Sequence, residues 1–257
     1  MLKSPKENEN FIVTMTSHAG RFRSLGSFFR SFELQELLPK HFALYLTQED
    51  SNLLETMDVY IPNFVSVRIC EDLGPGNKLI PALRDFPDKR IITVDDDVIY
   101  PKDLLQRLVS YSLEFPLNII ACRAHKVTLN DDFTPRKYSE WDHKVSNFNS
   151  SSTLLFPTGV GMICYPPKSL HPDVLDVENY LKNCLFQDDI WFYIQAIRAG
   201  TKLRLLPGDN EYEYIPETQT NGLWQTTNSS GGNDQAMKSL LRMYVDLHFV
   251  WQHSSQT

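Results

Sequence analysis

Three consecutive aspartates, Asp95, Asp96 and Asp97, close the apolar run Arg90-Ile91-Ile92-Thr93-Val94. The β-branched bias of that run is that of a buried strand, and Pro101 suits the first turn of a following helix. The acidic cluster therefore falls where a strand ends and the chain turns. On an extended backbone alternate side chains share a face, which would set Asp95 and Asp97 together and Asp96 apart. Two hard oxygen ligands so placed can hold Mg²⁺ or Mn²⁺ and leave positions open for substrate phosphates. A turn or a helix N-terminus would need only one carboxylate, whereas three in contact repel one another.

Three further segments carry chemistry. Asp188 and Asp189 stand in Phe186-Gln187-Asp188-Asp189-Ile190-Trp191. They open a helix, where one acid serves as a cap and leaves the second without that role. Trp191 offers an aromatic face to a ligand, although a large apolar residue in a helix is more often core. Lys78 ends Gly74-Pro75-Gly76-Asn77-Lys78 just before a helix. A cation there opposes the macrodipole, so a compensating anion such as phosphate is expected. Gly159 and Gly161 leave two alternate positions without side chains, which marks either a bulge or close approach by a ligand or another backbone.

The elements that must position these groups follow from hydrophobic periodicity. Strands are expected over 11–16, 41–46, 65–70, 90–94, 117–126 and 154–165, with helices over 23–38, 77–84, 186–198 and 234–253. The helix at 186 has an acidic start, a basic last turn at Arg198 and a stop at Gly200. Strands alternating with helices predict an α/β fold with a mostly parallel, twisted sheet. Residues 130–152 read as a long polar excursion, which inside a compact domain is usually functional. Residues 218–235 are rich in Thr, Asn, Ser and Gly and read as mobile. Neither G-x-G-x-x-G nor a Walker loop follows the first strand.

The chain has 257 residues and a net charge of −7. That length fits one large domain with an ample core. The negative charge argues against nucleic acid or an anionic membrane as a general partner. An anionic substrate would need a local reversal of sign, which a metal supplies. Cys70, Cys122, Cys164 and Cys184 are widely spaced among apolar neighbours and read as buried thiols in a reducing compartment. The polar start and the lack of any bilayer-length apolar run give a cytoplasmic expectation.

Together Ile92-Thr93-Val94-Asp95-Asp96-Asp97, the stretch from Thr158 to Pro167 and Gln187-Asp188-Asp189-Ile190-Trp191 resemble, in order and spacing, the GT-A glycosyltransferases. The resemblance is to the family-2-like type that builds bacterial surface polysaccharides and covers about residues 10–205. It implies one GT-A-like domain over 1–257, with a nucleotide-sugar-binding half at about 10–125 and an acceptor-binding half at about 126–257, a smaller acceptor-side region. It further implies metal-dependent transfer of a sugar from a nucleotide-diphosphate sugar, a UDP-sugar favoured, to a glycan or lipid-linked glycan, with inversion expected. Peripheral contact with a membrane would then come through the acceptor.

The same resemblance assigns the roles. Asp97 would coordinate Mn²⁺ or Mg²⁺, and Asp95 would be a second ligand or touch the donor ribose or sugar. Asp96 would complete the donor site, and the loop from Thr16 to Arg21 would lie against base and ribose. Lys78 would reach the donor, while Gly159 and Gly161 would border its sugar. Asp189 would be the base, with Asp188 second to it. Gln187 departs from the pattern, which usually has an acid or proline at that position. Competing readings are a nucleotidyltransferase that makes a nucleotide-sugar, whose glycine-rich basic loop is missing, and a non-catalytic carbohydrate- or metal-binding module.

Overall fold

The computed structural model describes residues 11–221, 231–245 and 247–254, and the side chains at 219–221, 248, 253 and 254 are excluded from the description. In chain order the elements begin β1 (Phe11–Thr16), α1 (Phe22–Phe32), β2 (Phe42–Leu46), α2 (Gln48–Glu55), β3 (Val65–Ile69), α3 (Ile80–Asp85), β4 (Arg90–Thr93) and β5 (Val98–Ile99). They continue with α4 (Leu104–Glu114), β6 (Ile119–Ala121), β7 (Ala124–Lys126), β8 (Leu155–Pro157), β9 (Ile163–Tyr165), α5 (Val177–Cys184) and α6 (Asp188–Arg198). The last are β10 (Leu203–Leu205), β11 (Glu213–Tyr214), α7 (Gly232–Met243) and α8 (Leu247–Ser254).

Seven strands form one sheet in the order β10-β6-β9-β4-β1-β2-β3, with β9 antiparallel to both of its neighbours and the other pairings parallel. The expected α/β class with a mostly parallel sheet is borne out. Successive β4 residues go to opposite faces. Ile92 packs with Phe28, Phe29 and Leu108 of α1 and α4, while Ile91 joins the core that contains Trp191 and Ile194 of α6. Strands from before and after residue 125 share this sheet.

Register brings the chemistry to one edge. Thr93, the last residue of β4, pairs with Ile163, the first of the inverted β9, and Ala121 at the end of β6 pairs with the same Ile163. The turns after β1, β4 and β6 and the loop before β9 therefore converge at the carboxyl end of the parallel strands. Ligands of open α/β sheets bind there.

Several boundaries differ from the sequence reading, each for a local reason. Helix α1 stops at Phe32, because Gln35 turns in to donate to Pro101 O (2.8 Å) and to accept from Leu105 N (3.2 Å). The helix expected over 77–84 is a 3-10 turn, Gly74–Lys78, followed by α3. The strand expected over 117–126 breaks at Cys122 and Arg123 into β6 and β7, which belong to different sheets. The strand expected over 154–165 breaks at Gly161, whose φ of +117° lies outside strand geometry. The last expected helix divides at Tyr244 into α7 and α8. Helices α2, with its Thr47 cap, and α5, capped by Asp176, had no counterpart in the reading. Residues 222–230 of the 218–235 stretch lie outside the described residues.

Candidate functional site

Extended backbone ends with β4, and Asp96 and Asp97 already lie in a turn. Asp96 and Asp97 share one cation and Asp95 takes another, while Asp97 still acts on Asp95 through its charge. Arg21 Nη1 lies 3.0 Å from Asp96 Oδ1 and 2.6 Å from Asp97 Oδ2. Ser17 Oγ donates to the other Asp96 oxygen at 2.5 Å. Asp96 thus anchors the loop after β1 to the turn after β4. Arg21 is not a solvent-facing charge; its side chain is 16% exposed.

Lys78 joins the two acidic motifs. Its Nζ sits 3.1 Å from Asp95 Oδ1 and 3.1 Å from Asp188 Oδ2. The lysine is buried, and Thr14 Oγ1 of β1 donates to its carbonyl at 2.6 Å. Upstream, a Cβ on Gly76 would fall 2.5 Å from the Tyr180 hydroxyl, so only glycine lets this turn seat against α5. Asp188 Oδ2 is a buried atom that lacks a well-aligned hydrogen bond and is held by charge alone.

Gly159 N–H donates to Asp189 Oδ2 at 2.8 Å. A Cβ at residue 159 would meet Lys78 Nζ at 2.7 Å and Asp189 Oδ1 at 2.8 Å. The close approach expected of this glycine is therefore made by groups of the site itself. Thr158 Oγ1 accepts from Arg123 Nη1 at 2.9 Å, which sets a third cation beside the Asp189 side of the site.

Burial dominates the electrostatics. It pushes the Asp95 carboxyl above the usual carboxylate range; Lys78 opposes this, while Asp97, Asp189 and Asp188 add to it. Asp189 is likewise raised by burial and by Asp188, against the pull of Lys78, the Gly159 N–H and Arg123. Asp96 is raised by burial in spite of Arg21 and Ser17. Burial also works against the charge on Lys78, but Asp188, Asp95 and Asp189 outweigh it and keep the ammonium protonated. Tyr100, whose hydroxyl accepts the Asp95 N–H at 2.9 Å, is raised by burial and stays a phenol.

Asp95, Asp96, Asp97, Asp188, Asp189, Lys78, Arg21 and Gly159 thus form one assembly. Gly161 stands at its border, with Arg123 Cβ 3.5 Å from where its own Cβ would be. Thr16 does not join by its hydroxyl proton, which goes to Tyr45 O at 2.9 Å. Trp191 is core, wholly buried, with Nε1 donating to Val174 O at 3.2 Å. The sequence reading missed Ser17, Tyr100 and Arg123. A serine directly after the first strand was a usable signal, but nothing local marks Tyr100 or Arg123.

Among the described residues, no three His, Cys, Asp or Glu side chains converge as a self-sufficient metal cage. The donor set fits Mg²⁺ or Mn²⁺ in the other common way, with one or two carboxylates completed by substrate phosphates. Asp95 and Asp97 are hard oxygen donors in a cluster of five aspartates, four of which Lys78 and Arg21 contact at 2.6–3.1 Å. The larger of two cavities described, about 680 Å³, lies away from this site between α4 and Leu206. A smaller one of about 290 Å³ includes Arg123.

The fold is thus a mostly parallel α/β sheet with its acidic site at the carboxyl edge, where ligands of open α/β sheets bind. No known family profile matches the chain. No curated protein sequence matches it. Among solved structures it is similar to residues 1–349 of S. aureus TarS, with TM-score 0.48 and 14% identity over 79% of this chain and 59% of that one. TarS has also been solved in complex with UDP. UDP-glucose pyrophosphorylase from Acinetobacter gives TM-score 0.48 and 10% identity over 95% of this chain and 97% of that one. HddC from Yersinia pseudotuberculosis gives 0.46 and 14% over 80% and 93%. The chain spans well under two thirds of the TarS fragment. At these scores the likenesses carry no argument about reaction or ligand.

Proposed function

We propose that the protein is a GT-A-type glycosyltransferase that moves a sugar from a nucleotide-diphosphate sugar, a UDP-sugar favoured, to a hydroxyl of a glycan or lipid-linked glycan. One observation carries the reading: the acidic turn after β4 and the acidic start of α6, about ninety residues apart in sequence, meet across Lys78 and Gly159. A capping pair or an isolated cation loop would not require the two motifs to meet.

In this reading Asp97 and Asp95 would hold Mn²⁺ or Mg²⁺ together with the donor diphosphate. The bound metal would supply charge stabilisation for the departing nucleotide. The residues of the chain do the rest. Arg21 and Ser17 hold Asp96, and through it the turn that presents Asp95 and Asp97. Lys78 keeps Asp95 and Asp188 from repelling one another. Asp189 is the base that takes the acceptor hydroxyl proton. Its Oδ2 is oriented by the Gly159 N–H, and its raised proton affinity suits base catalysis near neutrality. A base facing the acceptor favours inversion. No helix among the described residues is long and apolar enough to cross a membrane, so contact with a lipid-linked acceptor would be peripheral.

The test is a thermal-shift screen of UDP, GDP, CMP and dTDP with and without Mn²⁺, followed by assay of nucleotide release from the matching sugar donor. A metal-dependent shift with one nucleotide and release of that nucleotide support the reading. Pyrophosphate formation from a nucleoside triphosphate and a sugar phosphate would replace it with the nucleotidyltransferase reading. No shift with any nucleotide would sink both.

A further inference from the structure

The cavity of about 290 Å³ beside the acidic site is lined in part by Arg123, Lys144, Ser146, Asn210 and Tyr212. It borders the site through Arg123, whose Nη1 donates to Thr158 Oγ1, next to Gly159, at 2.9 Å. Arg123 enters from the break between β6 and β7. It has no ion-pair partner among the described residues; only Thr158 Oγ1 accepts from it, and its Nε is buried without a hydrogen-bond acceptor. A half-buried guanidinium without a direct ion pair is costly unless charge or hydrogen bonds reach it, and here it feels Asp189 only at a distance.

Lys144 also lacks an ion-pair partner among the described residues, and its backbone sits at φ +51°, a region uncommon for a non-glycine residue. The buried His125 holds it there: Nδ1 accepts the Lys144 N–H at 3.0 Å. His125 stays neutral, because burial lowers its proton affinity and Arg123 and His143 lower it further. Strain of this kind persists where surrounding structure enforces it, often at ligand sites. Two acids also line the cavity, Asp209 and Glu211, both exposed. Asp209 Oδ1 accepts the Glu211 N–H at 3.0 Å.

We infer that this cavity is a subsite for an oxyanion, a phosphate or carboxylate group, which Arg123 grips through its planar fork and Lys144 closes from the rim. Deepening the proposed function and resting on it, the subsite selects an acceptor that carries such an anion near the hydroxyl to be glycosylated. Arg123 and Asp189 contact the adjacent residues Thr158 and Gly159, which sets the subsite beside the proposed base.

The experiment is titration of the full chain with inorganic phosphate and, separately, acetate, followed by NMR or calorimetry at low salt, for wild type, Arg123→Gln and the exposed-site variant Lys144→Gln. Affinity should fall at least tenfold in Arg123→Gln and severalfold in Lys144→Gln, and the tighter of the two anions names the acceptor group. Equal affinity in all three proteins, or no binding in wild type, overturns the subsite. Metal-dependent UDP binding measured in parallel separates the failures. If UDP binds and the anion titration is insensitive to both variants, the subsite falls and the glycosyltransferase reading stands. The reverse pattern keeps an anion site and removes that reading.

Discussion

Replacing Lys78 by Met tests the core of the site. The ammonium lies 3.1 Å from Asp95 Oδ1 and 3.1 Å from Asp188 Oδ2, and the three side chains are 10%, 22% and 11% exposed. Methionine keeps length and packing but deletes the charge. Breaking a buried pair by removing one partner costs about 3–5 kcal/mol, because the other charge is left uncompensated. Here the two carboxylates left behind also repel each other and Asp189, which puts the loss at the upper part of that range at pH 8. The loss must shrink in acid. The folded-state proton affinities of Asp95 and Asp189 are already raised, and the variant removes the Lys78 pull that lowers them. A carboxyl raised in the folded state binds more protons folded than unfolded, so stability falls as pH climbs from the ordinary carboxylate range through the raised value. Urea denaturation at pH 5 and pH 8 reads both numbers, urea being chosen because it does not screen charge. Adding Asp188→Asn to the variant should recover part of the loss at pH 8. A loss below about 1 kcal/mol, or one equal at both pH values, would refute the bridging role of Lys78.

The other expectations are simpler. Asp97→Ala should abolish metal-dependent nucleotide binding, whereas Asp189→Asn should spare that binding and remove sugar transfer; equal donor affinity and turnover in both variants would reject both assignments. Gly159→Ala should cost about 1–3 kcal/mol by thermal denaturation, since its Cβ would meet Lys78 Nζ at 2.7 Å and Asp189 Oδ1 at 2.8 Å. It should also depress turnover more than donor affinity. The unliganded wild type should gain stability as pH falls from 8 toward 6, because Asp95, Asp96 and Asp189 are all raised. Asp95→Asn should flatten that slope and raise the melting temperature at pH 8, and a steeper slope would contradict the assigned direction.

Much of the fold was legible because burial writes itself into periodicity. The β-branched run before Asp95 is β4, the first strand was read to the residue, and the acid-to-basic polarity from Asp188 to Arg198 marks α6. Reading failed where a long-range contact overrode the local pattern. Gln35 reaches across to Pro101 and ends α1 early, and the break at Arg123 sends β6 and β7 into different sheets. Short capped helices such as α2 carry few apolar residues and so weak periodicity.

The residue types of the candidate site were determined by the chain alone: two acidic motifs, one lysine on a glycine-rich turn and a pair of spaced glycines. Residue type and spacing along one strand or helix are local properties, and a sequence displays them directly. Which charges face one another was decided only by the tertiary structure. The turn at Asp96 set Asp96 and Asp97 on Arg21 and left Asp95 to Lys78, the Gly159 N–H came to Asp189, and burial raised three carboxyl groups that would titrate normally in water. Distances between segments and the loss of solvent around them arise only when the sheet closes, so no pattern within a segment could have displayed them.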